Sequence, residues 1–346
     1  MKRSHLGIHA GGGELALLAE IRKRAACASG GSLRLGIGDD CALLASRRGE
    51  ELAVTTDLSI AGRHFRLDWH PPESVGHRAL ARGLSDLAAM GARPVAAFLS
   101  LGLPRELTVV SGRQRTGSKS WVQRFLDGLL ALADVHKAPL AGGDLAESPL
   151  AVADIVLVGA VPRGHALRRS GARPGDLLYV TGALGGAAAG LARLAELASS
   201  TGFILPLIPK RLELQLAPHL YPQPRIAQGL WLQRRGLATA ALDLSDGLSS
   251  DLAHLCQESG VAAEVDAVLL PFHSAATLDQ ALHGGEDYEL LFTAPANAPP
   301  PRAIAGVPIT RIGRIVRARP GLPTITLISK QGAKSLELKG WEHFRA

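Results

Sequence analysis

Seven aspartates, Asp39, Asp40, Asp57, Asp86, Asp144, Asp243 and Asp246, stand where an apolar run gives way to Gly, Ser or Thr. A carboxylate at the carboxyl end of a strand, in a small-residue turn, can point into a crevice and reach a ligand. Taken singly, each is an ordinary cap or turn residue. Repeated over five separate loops, the pattern exceeds what capping requires. Carboxylates gathered in one place repel one another unless cations lie between them. With no cysteine pair nearby and few histidines in these motifs, the donors are hard oxygens, which favour Mg²⁺ or Ca²⁺ over zinc or copper. Mg²⁺ binds through a few carboxylates plus substrate phosphates, so the pattern points to a nucleotide site.

The common nucleotide and hydrolase signatures are absent. The stretch Gly112 to Ser120 nearly spells a Walker A loop, but Ser118 stands where Lys is required, and it reads as a basic loop. The run Gly182-Ala-Leu-Gly185-Gly186 follows a strand and enters a helix without GxGxxG spacing, so it reads as a tight turn. There is no GxSxG and no HExxH. His64, in a Gly-Arg-His loop soon after Asp57, is open to a structural or a functional reading.

The elements that must position these groups follow from periodicity and punctuation. Leu15, Leu18 and Ile21 at helical spacing predict a helix from Glu14 to Arg24. Leu33–Ile37 and Leu52–Val54 read as strands that stop at Asp39-Asp40 and at Thr55-Thr56-Asp57. Pro72 to Met90 reads as a helix opened by proline and closed before Gly91. A strand over Val95–Leu103, a loop to Ser120, a helix over Trp121–Val135 and strands at Pro139–Ala141 and Leu150–Val161 complete the first half. Pro162-Arg163-Gly164 marks a boundary, giving domains 1–162 and 163–346. Beyond it come a strand at Asp176–Val180, a helix after Gly186 and a Pro-rich surface connection over Pro206–Pro224. The strand Ala238–Leu244, the helix Ser249–Glu258 and strands near Ile309–Ile315 and Thr324–Ile328 follow. The alternation predicts an α/β or α+β chain of two domains.

Composition narrows the classes. The 346 residues are 47% hydrophobic and 20% charged, a soluble balance with enough chain for two cores. Aromatics make up only 4%, which disfavours a base-stacking nucleic-acid surface. The net charge of +7 is spread along the chain rather than gathered into one run, so an anionic small substrate accounts for it and no nucleic-acid partner is expected. Three cysteines without CxxC spacing read as reduced thiols, with neither disulfides nor zinc. Glu14 and Glu20 interrupt the apolar start, so neither a secretory signal nor a membrane span is expected, and the chain is placed in the cytoplasm.

Read together, the motifs have an order: Leu35-Gly-Ile-Gly-Asp-Asp-Cys-Ala-Leu-Leu44, Thr55-Thr-Asp57, Gly62-Arg-His-Phe65 and Leu84-Ser-Asp-Leu-Ala-Ala-Met-Gly-Ala92. Then come Gly142-Gly-Asp144, Leu242-Asp-Leu-Ser-Asp-Gly-Leu248, Gly284-Gly-Glu-Asp-Tyr-Glu-Leu290 and Gly340-Trp-Glu-His-Phe344. Over nearly its whole length the chain resembles the thiamine-monophosphate kinases, within the superfamily of aminoimidazole ribonucleotide synthetase and selenophosphate synthetase. The acid-rich turns are shared across that superfamily, whereas LSDLAAMGA, GGEDYEL and GWEHF are specific to the thiamine enzymes.

The resemblance implies two α/β domains, with N-terminal sheets pairing in a homodimer as a β-barrel, and magnesium-dependent transfer of the ATP γ-phosphoryl group to thiamine monophosphate. Residue by residue it implies Asp40, Asp57, Asp86, Asp144 and Asp243 as metal ligands, with Asp246 on a further ion and Thr55 and Thr56 completing the shells. Gly143, Asp144, Arg169 and Ser245 would meet ATP. His64, Glu286 and Trp341 would hold thiamine monophosphate, although Trp341 can equally be read as a C-terminal core anchor. The pattern departs at Gly83, where Asn is general, at Leu145, where Thr is usual, and over Val110–Ser120. Another ATP-dependent reaction of the superfamily, or binding without turnover, stands as the alternative.

Overall fold

The structure is a computed structural model that describes residues 14–25, 32–37, 41–110, 118–201 and 210–341. The triple glycine at 11–13, Asp39, Asp40, Cys27, most of the near-Walker segment and the end of the GWEHF motif lie outside the described residues.

The first half is built on a four-stranded sheet in the order β3-β6-β4-β5, comprising β3 (Glu50–Ile60), β6 (Val152–Pro162), β4 (Arg93–Leu103) and β5 (Leu140–Glu147). Helix α1 (Glu14–Ala25) and the two-stranded β1 (Leu33–Leu35) and β2 (Leu43–Leu44) lie before it. β4 and β5 run parallel, joined through α3 (Trp121–His136), while the other pairs are antiparallel. α3 begins at a capping box in which Ser120 and Gln123 serve each other's backbone. Helix α2 (Pro72–Ala89) lies across one face, with proline at its start as read from the sequence.

The strands run further than their apolar cores suggest. Thr55, Thr56 and Asp57 sit inside β3, and Asp57 pairs with Ile155 rather than ending a strand. Asp144 likewise lies within β5, opposite Ser100, and Asp86 belongs to the last turn of α2. The half-buried face of a sheet that borders a cavity can carry acids in mid-strand, which a rule based on strand ends misses.

The second half carries a larger mixed sheet in the order β14-β13-β9-β12-β7-β10-β8, with β11 (Ala303–Ile304) on β12. Its strands are β7 (Leu177–Thr181), β8 (Ala240–Asp243), β9 (Val261–Asp266), β10 (Leu290–Ala294), β12 (Val307–Arg317), β13 (Ile325–Ser329) and β14 (Gly332–Ser335). Helices α4 (Gly186–Thr201), α5 (Lys210–Leu220), α6 (Ile226–Arg235), α7 (Leu248–Ser259) and α8 (Leu278–His283) surround it. α5 falls inside the Pro-rich stretch expected to be a connection, and it keeps its helix through Pro218. Burial of Leu212, Leu216 and Leu220 against Leu194 outweighs the punctuation.

One apolar core spans both halves. Leu84 and Leu87 of α2, Phe125 of α3 and Ile155 of β6 share it with Tyr179, Phe292 and Ile309 of the second sheet. α2 is held in near backbone contact on two sides by glycines. A Cβ at Gly76 would lie 1.9 Å from the Phe125 carbonyl oxygen, one at Gly128 1.8 Å from that of Glu73, and one at Gly229 2.0 Å from that of Ala88. α3 and α6 therefore clamp α2 from opposite halves. A second core lies on the far side of the large sheet, around Leu242, Leu252, Val265 and Leu291. Among the described residues no helix is long and apolar enough to cross a membrane.

Candidate active site

Arg78, Arg82 and Asp86 recur every four residues on α2 and so form one stripe along the helix. Asp57 of β3 faces this stripe, and its Oδ1 takes a 2.7 Å ion pair from Arg82 Nη2. The Thr55 hydroxyl donates to Asp86. On the adjoining turn of α2, Ser85 Oγ donates to Asp243 Oδ2 at 2.7 Å, which fixes the end of β8 against the helix.

The turn after β8 is held by backbone. Asp251, in the first turn of α7, accepts the amide protons of Asp246 and Gly247 at 3.0 Å each. The Ser245 carbonyl accepts Glu286 N–H at 2.7 Å, the Leu244 carbonyl accepts Tyr288 N–H at 2.9 Å, and the Asp246 carbonyl accepts Trp341 N–H at 3.0 Å. Three motifs far apart in sequence are thus sewn together at one turn. Glu286 and Tyr288 both adopt positive φ, +68° and +51°, in a region that side chains rarely occupy. Asp287 between them accepts the amide protons of Gly185 and Ala187 at 2.6 and 3.1 Å, tying this segment to the start of α4.

These elements enclose a cavity of about 540 Å³. Of the residues singled out in the sequence, Thr56, Asp57, His64, Asp86, Asp243, Ser245, Asp246, Glu286 and Trp341 line it. His64 Nδ1 accepts Ile60 N–H at 3.0 Å, which leaves Nε2 of the neutral ring as a donor. Trp341 is 56% exposed, so it does not anchor a core and presents its ring at the cavity edge.

The electrostatics are those of an anionic floor with a cationic rim. Burial raises the carboxyl of Asp86 above its ordinary range. It pushes Asp243 up to about 7, with the charge of Asp86 adding to the effect. Asp57 is also raised by burial, with Asp86 and Glu286 adding and Arg82 opposing. Burial works against the charge of Arg82, but Tyr288, Asp57 and Glu286 hold it firmly protonated. Arg169 lowers both Asp86 and Asp243 through its charge.

The other candidates lie elsewhere. Gly143 and Asp144 line a separate cavity of about 430 Å³, with Gly36, Ile37 and Cys41. Through Ser100 and Asp154, Asp144 shares the sheet face of Leu58, opposite the face Asp57 turns to α2. Leu145, the departure beside it, lines this second cavity too. Asp40 is outside the described residues, while its described neighbours Ile37 and Cys41 border the second cavity. The departure at Gly83 has a packing reason, since a Cβ there would lie 2.6 Å from Leu157 Cδ1.

Sequence reasoning missed Arg78, Arg82, Asp251 and Asp287. The first two had a signal in their four-residue spacing to Asp86. Asp251 and Asp287 act by holding backbone, which no spacing reveals. Among the described residues no three His, Cys, Asp or Glu side chains form a ready-made metal cage. The donors nonetheless suit Mg²⁺, which keeps most of its shell for water and phosphate and needs one or two carboxylates. Asp86 and Asp243, both raised by burial and the latter also by the charge of Asp86, form such a pair.

Comparison with known proteins places the chain. Residues 38–162 match the AIR synthase related protein N-terminal domain and residues 173–319 the corresponding C-terminal domain. The chain is 40% identical over 344 residues to thiamine-monophosphate kinase of Escherichia coli, covering 96% of this chain and 98% of that protein. A crystal structure of thiamine-monophosphate kinase from Stenotrophomonas maltophilia superposes with a TM-score of 0.75 at 38% identity, over 91% of this chain and 96% of that one. AaThiL complexed with AMPPCP and TMP gives 0.71 at 32% identity, over 96% and 97%.

Proposed function

The chain belongs to the thiamine-monophosphate kinase family of the AIR synthase related proteins, and on that premise we propose that it transfers the γ-phosphoryl group of ATP to thiamine monophosphate, yielding thiamine diphosphate and ADP. The observation that carries this reading is the backbone stitching of the Asp243–Asp246 turn, the Glu286 segment and Trp341 around one cavity floored by Asp57 and Asp86.

Asp57, Asp86 and Asp243 would hold Mg²⁺, with Asp246 serving a further ion and Thr55 and Thr56 completing the shells. When bound, Mg²⁺ supplies charge neutralisation and in-line alignment of two phosphate-bearing substrates. The acceptor is a phosphate monoester with a second pKa of about 6, largely dianionic at neutral pH, so the chain needs no general base. This accounts for a site without an activated Ser, Cys or His. His64 would donate from Nε2 to the acceptor phosphate. Glu286 and Trp341 would take its cationic end, where a ring over a cation contributes about 0.5–2 kcal/mol.

Gly143, Asp144, Arg169 and Ser245 are assigned to ATP, and Asp40 and Asp144 to the metal ions that accompany its phosphates. Gly143 and Asp144 border the outer sheet face, where Leu52, Val54 and Leu58 are 50%, 62% and 45% exposed. That face is where a second copy would pair as a dimeric β-barrel, bringing the nucleotide end of the site to the interface. Residues 1–162 and 163–346 are taken as the two domains. A cytoplasmic location agrees with free thiols at Cys41 and Cys256.

The test is a product assay with ATP, Mg²⁺ and thiamine monophosphate, read by chromatography. Magnesium-dependent thiamine diphosphate, absent when free thiamine is the acceptor, is the expected result. ATP binding with no product would reject the reaction.

A further inference from the structure

In the wall of the cavity lie two histidines from distant parts of the chain, His70 just before α2 and His219 near the end of α5, both 2% exposed. Their Nε2 atoms are 3.0 Å apart. Such a contact requires one ring to donate and the other to accept, and the surroundings decide which. Arg66 N–H lies 3.1 Å from His70 Nδ1. The Arg66 carbonyl, 3.2 Å from the same nitrogen, already accepts the amide protons of His70 and Trp69. His70 Nδ1 is therefore the acceptor, its proton is on Nε2, and His219 Nε2 receives it. His219 must then carry its own proton on Nδ1.

That nitrogen is fully buried and makes no hydrogen bond; the acceptor it faces is Glu286 Oε2, 3.5 Å away, just beyond a formed hydrogen bond and close enough to become one with a small shift of the carboxylate. Glu286 Oε1 is taken by the Arg78 guanidinium. A carboxylate oxygen can only accept, so the far end of the chain demands the same direction as the Arg66 amide at the near end. The pair stays neutral for consistent reasons. Burial, with the charge of Arg78 adding, lowers His70 to about 3 and His219 well below its ordinary value. The backbone of Glu286, at φ +68°, does not by itself settle its side chain on one course.

We propose that His70 and His219 are positioning residues, a one-way hydrogen-bond chain from the Arg66 amide that aims the Glu286 carboxylate at the cationic organic part of the acceptor. The Arg78 ion pair holds one oxygen and the imidazole chain steers the other, so the carboxylate plane is fixed before substrate arrives. The inference rests on Glu286 being an acceptor contact, and its test separates the two.

Long-range ¹H–¹⁵N correlation on histidine-labelled protein reads the tautomers without any turnover. Nε2–H on His70 and Nδ1–H on His219, both neutral at pH 6.5–8, are expected; the reverse assignment, or a charged ring, overturns the chain. Steady-state kinetics then reads its purpose. His219→Leu is expected to raise KM for thiamine monophosphate about tenfold, the scale of a lost hydrogen bond to a charged group, with kcat and KM for ATP within about twofold. His219→Asn, whose amide nitrogen falls near the Nδ1 position, should recover most of that loss. Equal effects of Leu and Asn, or a change confined to ATP, would overturn the positioning role. Should His219→Leu fail to fold, His70→Gln against His70→Leu makes the same comparison. Wild-type protein that shows the tautomers but makes no thiamine diphosphate would defeat the proposed reaction and leave the chain standing.

Discussion

Arg82 is ion-paired to Asp57, one of the carboxylates proposed to hold Mg²⁺, and Arg82→Met makes competition between guanidinium and cation measurable. The pair is 2.7 Å long with side chains only 17% and 22% exposed. Removing one partner of a buried pair costs about 3–5 kcal/mol, and this much solvent access trims it to about 2–3. The penalty is sharpened because Asp57 would face Asp86 and Glu286 with its counter-charge gone. For 346 residues the unfolding entropy is about 0.7 kcal/mol per kelvin at about 2.1 cal/mol/K per residue. The expected fall in Tm is then about 3–4 °C in EDTA. With saturating Mg²⁺ an ion can stand where the guanidinium stood, and the fall should shrink below about 1 °C. Thermal scans of both proteins, with EDTA and with Mg²⁺, suffice. An equal loss in both buffers would mean that no cation reaches Asp57, and the metal assignment there would fail with it.

Three further outcomes are expected. Asp57→Asn keeps the carboxylate's shape but not its charge, and should lower kcat by at least about 100-fold with circular dichroism unchanged; near-normal rates at saturating Mg²⁺ would refute the role. Gly83→Asn, the residue general in the family, should destabilise by about 2–4 kcal/mol through overlap with Leu157 and a buried amide, seen as a lower denaturant midpoint. A neutral result would show that Leu157 yields. The third concerns pH. His70 and His219 have folded values below their unfolded ones, so the unfolded chain takes protons first, and stability is lost as pH falls below about 6.5. The groups facing them are Arg66, Asp68, Arg78 and Glu286. His219→Asn should therefore flatten the decline of Tm between pH 7 and 5, and an unchanged slope would assign the decline to other groups.

The sequence was legible where local rules coincide with the fold. α2 could be read from its opening prolines and Gly91, and the strands β4 and β6 from their apolar runs, β-branched in β6, because burial there follows the apolar pattern. It was less legible where the chain serves a site. Asp57 and Asp144 look alike in sequence, each at the end of an apolar run, yet one faces α2 and the other faces outward. The difference is a parity of strand pairing, set by partners as far away as Ser100 for Asp144 and Ile155 for Asp57. α5 was hidden by prolines that its apolar stripe overrides. The His70–His219 contact joins residues 149 apart and belongs to no motif.

The clamping of α2 by glycines from both sides has a consequence for how this protein can change over time. The same 18 residues carry the active stripe on one face and, on the other, the seam that unites both halves of the molecule. A fragment ending near residue 162 would strip the core around Leu84 and Leu87 of Tyr179, Ile226, Phe292 and Ile309, so the two halves are not independent in packing. Swinging the halves apart would open the shared core, and the cavity is lined on one side by the loop 62–66. Variation at α2 is then judged twice, once for folding and once for turnover, and the helix should tolerate change less than any other segment of comparable length.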